Sequence, residues 1–289
     1  MNKVAIIYFS GTYNTLFIST IIKNKLMNKG FEVDTFSLDN EIKANFSKYD
    51  YIFLGYPIHA FNCPKNYVKT IKKLNINYKK YLIYKISGEP FKANNGSSIS
   101  LYKMMKKKKN ILYGEYHYLM PYNILFETKE EMIRYEFDYN LRYIDYMISN
   151  LDNKQKYKVT LLERFITFIF KIQRLGCNIN SHFYKIDKKK CIKCRQCYLN
   201  CPTHNIVYDK NKHKLVFHNK CIMCMRCSFY CPRDAISIGL LNKKRINNSY
   251  DLLEIIKKDN NYDINQENDK FYKKFKPYFD KIDKLTNKS

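Results

Sequence analysis

The chain is 289 residues long, 45% hydrophobic, and carries a formal net charge of +26. That length allows two domains and a tail, and no run reaches the roughly 18 consecutive apolar residues that span a bilayer. Val4 to Phe9 is too short for a secretory h-region and leads into a polar loop without a small-residue cleavage site, so the expectation is a cytoplasmic protein with reduced thiols.

The positive charge invites a nucleic-acid reading, but its make-up argues against one. Lysine outnumbers arginine by about five to one, and arginine is the residue that reads bases and phosphates bidentately. Lys, Asn, Ile and Tyr are sprinkled evenly, as AT-rich coding would leave them. Nucleic acid is therefore not the expected partner. The densest basic block, Lys106-Lys107-Lys108-Lys109, reads as a solvated helix end where cations complement the dipole.

In chain order, Lys3 to Phe9 is a near-continuous apolar run, as in a parallel strand buried on both faces. Ser10-Gly11-Thr12-Tyr13-Asn14-Thr15 follows, and then an apolar-periodic helix through Leu16, Ile18, Ile21, Ile22 and Leu26. Strand, hydroxyl-rich loop and helix together offer backbone N–H groups and a helix dipole to a phosphate. Phe31 to Phe36, Tyr51 to Gly55, Tyr81 to Ile86 and Ile111 to Tyr118 read as further strands. Lys65 to Leu74, Ser98 to Lys107 and Lys129 to Ile148 read as the helices between and after them. Alternation of this kind predicts an α/β fold with a doubly wound parallel sheet.

This half resembles the flavodoxin family, whose phosphate loop holds FMN with hydroxyls and amides. Ser10, Gly11, Thr12, Asn14 and Thr15 match that loop, which here contains no Lys or Arg. Tyr13 stands where the family prefers glycine. It is costly if the position needs positive φ and harmless if the backbone there is helical. The resemblance also implies two loops beside the flavin ring. One runs from Gly55 through Tyr56, Pro57, His59 and Phe61 to Pro64. The other contains Ser87, Gly88, Glu89 and Phe91 and continues into Asn94-Asn95-Gly96. Tyr56 or Phe61 is expected to stack on the ring. Both loops leave the carboxyl ends of strands, where α/β sheets bind ligands.

Leu161 to Leu175 reads as an amphipathic helix that ends at Gly176. Glu163, Thr167, Lys171 and Arg174 share one face, opposite Leu161, Phe165, Phe168, Ile172 and Leu175. The expectation is that the apolar face buries between two domains as a bracket, with contact to a membrane surface as the alternative.

Eight of the ten cysteines then form two copies of one pattern. Cys191, Cys194, Cys197 and Cys201, followed by Pro202, recur as Cys221, Cys224, Cys227 and Cys231, followed by Pro232. A disulfide framework needs an oxidising context, and structural zinc usually takes two separated ligand pairs. Soft, anionic thiolates suit iron–sulfur clusters. The doubled C-x2-C-x2-C-x3-C-P run resembles bacterial ferredoxins with two [4Fe–4S] clusters. That resemblance implies crossed ligand sets, with Cys191, Cys194, Cys197 and Cys231 on one cluster and Cys221, Cys224, Cys227 and Cys201 on the other. It also implies a small α+β domain with a linking hairpin near Asp209 to Lys214. Ile192, Ile222, Met223 and Phe229 are expected to shield the clusters. Cys63 and Cys177 read as ordinary packing residues. Residues 181–239 keep about +9 before the clusters add about −4, so an acidic redox partner is expected.

After Leu241 the composition turns to Asn, Lys, Asp and Tyr. Leu252 to Ile256 reads as a short helix. Phe271, Phe275, Phe279 and Ile282 line another that Pro277 should interrupt, so the tail is expected to be lightly packed or partly disordered. As a whole the chain resembles the "EFR1 family" ferredoxins, which fuse the two modules. The implied plan is a flavodoxin-like domain at 1–150, a helical connector at 151–180, a ferredoxin domain at 181–240 and a charged tail at 241–289. The implied function is electron transfer between the clusters and FMN. Two alternatives stand beside it: an empty flavodoxin-like docking domain, and a flavin-dependent reductase with His59 or Glu89 near the ring as proton source.

Overall fold

In the computed structural model, the described residues are 2–209, 211, 214–246, 250–258 and 269–287, with the side chains of 173–175 left undescribed. Five strands, β1 (Lys3–Tyr8), β2 (Glu32–Ser37), β3 (Tyr51–Pro57), β4 (Lys80–Ser87) and β5 (Ile111–Leu119), make one parallel sheet in the order β2-β1-β3-β4-β5. This is the flavodoxin-like arrangement, with its switch point between β1 and β3. The predicted doubly wound sheet is what the chain forms.

Strand parity divides the core. Val4, Ile6, Phe53, Leu82 and Tyr84 face one side, beneath α1 (Asn14–Asn28) and α4 (Glu130–Ser149). Ala5, Ile7, Ile52, Leu54 and Ile83 face the other, beneath α2 (Lys65–Lys73) and α3 (Ile99–Lys107). Because both faces are covered, the central strands read as apolar runs rather than alternating patterns. Within the basic block that closes α3, Lys108 is half-buried and donates to the carbonyls of Ile71 and Leu74. It thereby caps α2 rather than simply facing water.

Of the last two helices, the first forms where expected and the second departs from expectation. Beyond α8 (Leu252–Lys257), α9 runs unbroken over Lys270–Thr286 with Pro277 inside it. Phe275, Phe279 and Ile282 are buried in the α1–α4 layer, and Tyr278 donates to the His117 carbonyl at 2.8 Å. An interior proline costs a helix about 3 kcal/mol. Burying several aromatic rings, at about 1.5–3 kcal/mol each, outweighs that. This part of the tail is a layer of the core.

The connector is α5 (Leu161–Ser181). It begins with a capping box in which Thr160 accepts from the Glu163 amide and Glu163 accepts from the Thr160 amide. It continues through Gly176 instead of ending there, a position where a Cβ would meet only open space. The small domain follows. β6 (Tyr184–Ile186) pairs antiparallel with β9 (Ile236–Ile238), and β7 (Ile206–Asp209) with β8 (Lys214–Phe217), as the predicted hairpin requires. Its turn includes residues 210, 212 and 213, which lie outside the described ones.

Candidate functional site

The cysteine loops are conformational copies of one another. Lys193 and Met223, Arg195 and Met225, and His204 and Asp234 all hold positive φ at matching places. Single turns follow in register, α6 (Gln196–Leu199) and α7 (Arg226–Phe229). These kinks aim amides at sulfur: Asn205 N–H points at Cys201 Sγ at 3.3 Å, and Ala235 N–H at Cys231 Sγ at 3.2 Å. Such donors stabilise an anionic cluster and tune its potential. No disulfide joins the ten cysteines.

One cavity is lined by Cys201 together with Cys221, Cys224 and Cys227, and walled by Tyr184, Ile206 and Phe217. Cys201 therefore sits with the second triplet, although its sequence neighbours belong to the first. Burial pushes the Cys224 thiol up to about 12 and the Cys197 thiol up to about 11, a cost that bonding to iron removes. Among the described residues no three Cys, His, Asp or Glu side chains close on a single ion. A four-iron cubane takes one thiolate per iron, so its ligands stand apart.

The two loops differ in exposure. Cys194 and Ile192 are exposed, beside the exposed Lys188, Lys189, Lys190 and Lys193. Ile222 and Cys224 instead pack on the sheet layer that contains Ala5, Ile7 and Phe9. The shielding expected of Ile192 is therefore absent on the outer side, whereas Ile222 and Met223 are half-buried and Phe229 is buried.

The inner loop meets the β1–α1 loop directly. A Cβ on Gly11 would overlap the Cys224 carbonyl oxygen. Arg226 donates to the carbonyls of Ser10 and Gly11 and pairs with Asp39 at 2.7 Å. Ser10, Thr12, Asn14 and Thr15 are buried there, and α1 starts without a side-chain cap. Thr12 accepts from Asn123, and Asn14 accepts from the Tyr250 hydroxyl. The hydroxyl oxygens of Ser10 and Thr15 are buried without a hydrogen-bond partner, which suits a phosphate. Tyr13 has φ +78, so this position has the left-handed backbone that favours glycine.

The ring-side loops carry a correction. Tyr56 is fully buried on the Ile52–Leu54 face, against Tyr67 at 5.7 Å and Ser97 at 3.2 Å, and cannot stack on a ligand. Its strand parity dictates this. Pro57, Ser87 and Gly88 are half-buried and Glu89 is buried. Glu89 pairs with Lys274 of α9 at 2.6 Å, and Ser87 contacts His117 at 2.7 Å. The Tyr122 ring lies on Gly88, only 2.7 Å from where a Cβ would stand, so an isoalloxazine at this loop requires Tyr122 to swing aside. Phe61 packs edge-on against Phe170 at 4.6 Å and faces Phe91 at 6.3 Å. His59 packs edge-on against Phe9 at 6.3 Å.

Sequence reasoning missed Tyr122, whose post-strand position was the available signal. It also missed Lys85, a buried cation paired with Glu115 at 2.6 Å and donating to the Asn94 carbonyl at 2.9 Å. A lysine inside an apolar strand was the signal there.

α5 also reverses expectation. Glu163 and Thr167 face the protein: Glu163 accepts from Asn95 at 2.8 Å, Asn62 donates to the Thr167 carbonyl at 3.1 Å, and Gly96 fits against the Thr167 hydroxyl. Farther along, Asn180 donates to the Ile238 carbonyl at 2.9 Å and Ser181 donates to the His218 carbonyl. The helix does bridge both modules, but with its polar face. Leu161, Phe165, Phe168 and Ile172 point outward. The side chains of Arg174 and Leu175 lie outside the described residues.

Residues 184–238 match the family model of the 4Fe-4S dicluster domain. That domain implies two [4Fe–4S] clusters. Among solved structures, the chain is similar to a flavodoxin from Streptococcus pneumonia TIGR4 at 17% identity, with a TM-score of 0.39, covering 52% of this chain and 97% of that one. It is also similar to general stress protein 14 from Treponema denticola, in complex with FMN, at 13% identity and 0.39, covering 53% and 99%. Oxidised Flavodoxin 2 from Bacillus cereus gives 16% and 0.39, covering 52% and 97%. No curated protein matches the chain. The strand order, rather than these scores, assigns the fold. An iron–sulfur dicluster domain beside a flavodoxin-like fold gives the chain an electron-transfer role. Among the described residues no helix is long and apolar enough to cross a membrane.

Proposed function

We propose that the chain moves electrons between two [4Fe–4S] clusters and an FMN whose phosphate is held by Ser10, Gly11, Thr12, Asn14 and Thr15, as in the "EFR1 family" plan. Residues 1–150 and 181–240 act as the two modules, and 151–180 joins them. The observation that carries this reading is the contact of Cys224 and Arg226 with Gly11 and Ser10. When bound, FMN supplies a centre that takes one or two electrons, against one for each cluster.

The outer cluster, on Cys191, Cys194, Cys197 and Cys231, meets the redox partner. Its exposed lysines favour an acidic one. The inner cluster, on Cys221, Cys224, Cys227 and Cys201, faces the flavodoxin-like module. The orphaned hydroxyls of Ser10 and Thr15 and the uncapped start of α1 fit a phosphate without any cation.

The test is Cys201→Ala, purified anaerobically. Iron content and EPR of the reduced variant should show loss of the inner cluster while the outer signal persists. Two unaltered signals, or loss of the outer one, would contradict the crossed ligand sets.

A second reading, an empty docking module, draws on one contact: the Tyr122 ring on Gly88 occupies space that a flavin would share. Bound flavin in the anaerobic protein, read from its visible bands beside the broad cluster absorption, separates the two.

A further inference from the structure

We propose that α5 is a membrane-surface helix whose outward apolar face seats the protein on a bilayer containing anionic lipid. Leu161, Phe165, Phe168 and Ile172 are 82%, 60%, 62% and 60% exposed, along one line of the helix. The opposite line is already engaged, through Glu163 with Asn95 and through Thr167 with Asn62 and Gly96. Rotation to hide the apolar line would break those contacts and the capping box. A contiguous apolar strip fixed toward water marks an interaction surface.

Charge identifies what covers it. From 153 to 181 the single acidic residue is Glu163, which is buried against the body. Lys154, Lys156 and Lys158 lead into the helix, exposed, and Arg164 and Lys171 flank the strip, also exposed. Apolar and aromatic residues on one line, cations beside it and no exposed acid are the features of a helix that lies in the headgroup region of anionic lipid. Because no described helix can cross a bilayer, the contact is a lying one.

The experiment uses the full chain with its clusters, floated with vesicles of phosphatidylcholine alone or mixed with phosphatidylglycerol. The expected result is flotation with the mixed vesicles, little with the neutral ones, and release by high salt. Phe165→Glu with Phe168→Glu should lower vesicle partitioning on the order of a hundredfold while leaving the cluster spectrum unchanged. Lys154→Gln with Lys156→Gln and Lys158→Gln should weaken binding to the mixed vesicles and leave the apolar strip intact. Failure to float with either vesicle overturns the proposal. So does flotation indifferent to the phenylalanines. A dimer in light scattering that the Phe165/Phe168 variant dissociates, without vesicle binding, assigns the strip to a second copy and overturns it too.

Discussion

The carbonyl of Cys224 rests on Gly11 so closely that no side chain could stand between them, which makes the inner cysteine loop and the β1–α1 loop a single contact. Gly11 is thus spent on approach by the cluster loop. A methyl group there should push the modules apart at a cost of about 1–3 kcal/mol. Gly11→Ala, and separately Arg226→Met, should leave iron and sulfide content unchanged while splitting thermal unfolding into two transitions. A single unchanged transition in both would mean that this contact does not hold the modules together.

Tyr13 carries the second prediction. A non-glycine residue at φ +78 costs about 1–2 kcal/mol. Tyr13→Gly removes that strain from the flavin-free fold, so thermal stability should rise by about the same amount, and taking the ring off the loop should raise FMN affinity by equilibrium titration. Tyr122→Ala clears the space beside Gly88 and should add to the gain. If neither variant changes affinity, the flavin does not use these loops.

The third concerns the potentials of the clusters. Tyr184 walls the cavity lined by Cys201, Cys221, Cys224 and Cys227, and the strand pairing puts Leu215, which carries no donor, at the matching position of the other half. A donor to a ligating sulfur raises the potential. Tyr184→Phe should therefore lower the inner cluster by on the order of tens of millivolts and leave the outer one alone, as read by EPR-monitored titration. Equal shifts in both would contradict the placement.

How much of this was legible in the sequence depends on what each pattern encodes. The strands from Lys3 to Leu119 and the doubled cysteine run are strong local signals, and they appear where expected. The periodicity of α5 identified two faces but not which one the body would cover. A stripe defines an axis, and Asn62, Asn95 and Gly96, remote in sequence, settled its sense. Tyr56 was misread because a strand buried on both faces hides its parity. Pro277 was read as a helix breaker, yet the tertiary burial of Phe275 and Phe279 outweighed its local cost.

Glu136 supplies the fourth prediction. It is buried in α4 with Oε2 lacking a partner, and burial raises its carboxyl well above the usual value. The folded state keeps the proton, so this group's contribution is full below the ordinary carboxyl value and is lost as pH rises from there to its raised folded value. Glu136→Gln should stabilise the protein near neutral pH by about 1–3 kcal/mol and do little below the ordinary carboxyl value. His117, half-buried and with its imidazole held well below the ordinary value by desolvation and by the nearby Lys85 and Lys281, works the other way: its contribution is full above the ordinary imidazole value and is lost as pH falls below it. The Glu136→Gln variant should therefore show a melting temperature that rises with pH through the imidazole range and then levels off. A melting temperature that still falls toward neutral pH would assign the loss to another group.

The central claim is that clusters and flavin form one circuit within one chain. Stopped-flow mixing of the FMN-loaded protein with a one-electron donor, followed at cluster and flavin wavelengths, tests it most directly. The prediction is flavin reduction after cluster reduction at a rate independent of protein concentration, slowed by Gly11→Ala and unaffected by Phe165→Glu with Phe168→Glu. A rate that scales with protein concentration, or that ignores Gly11→Ala, would contradict it.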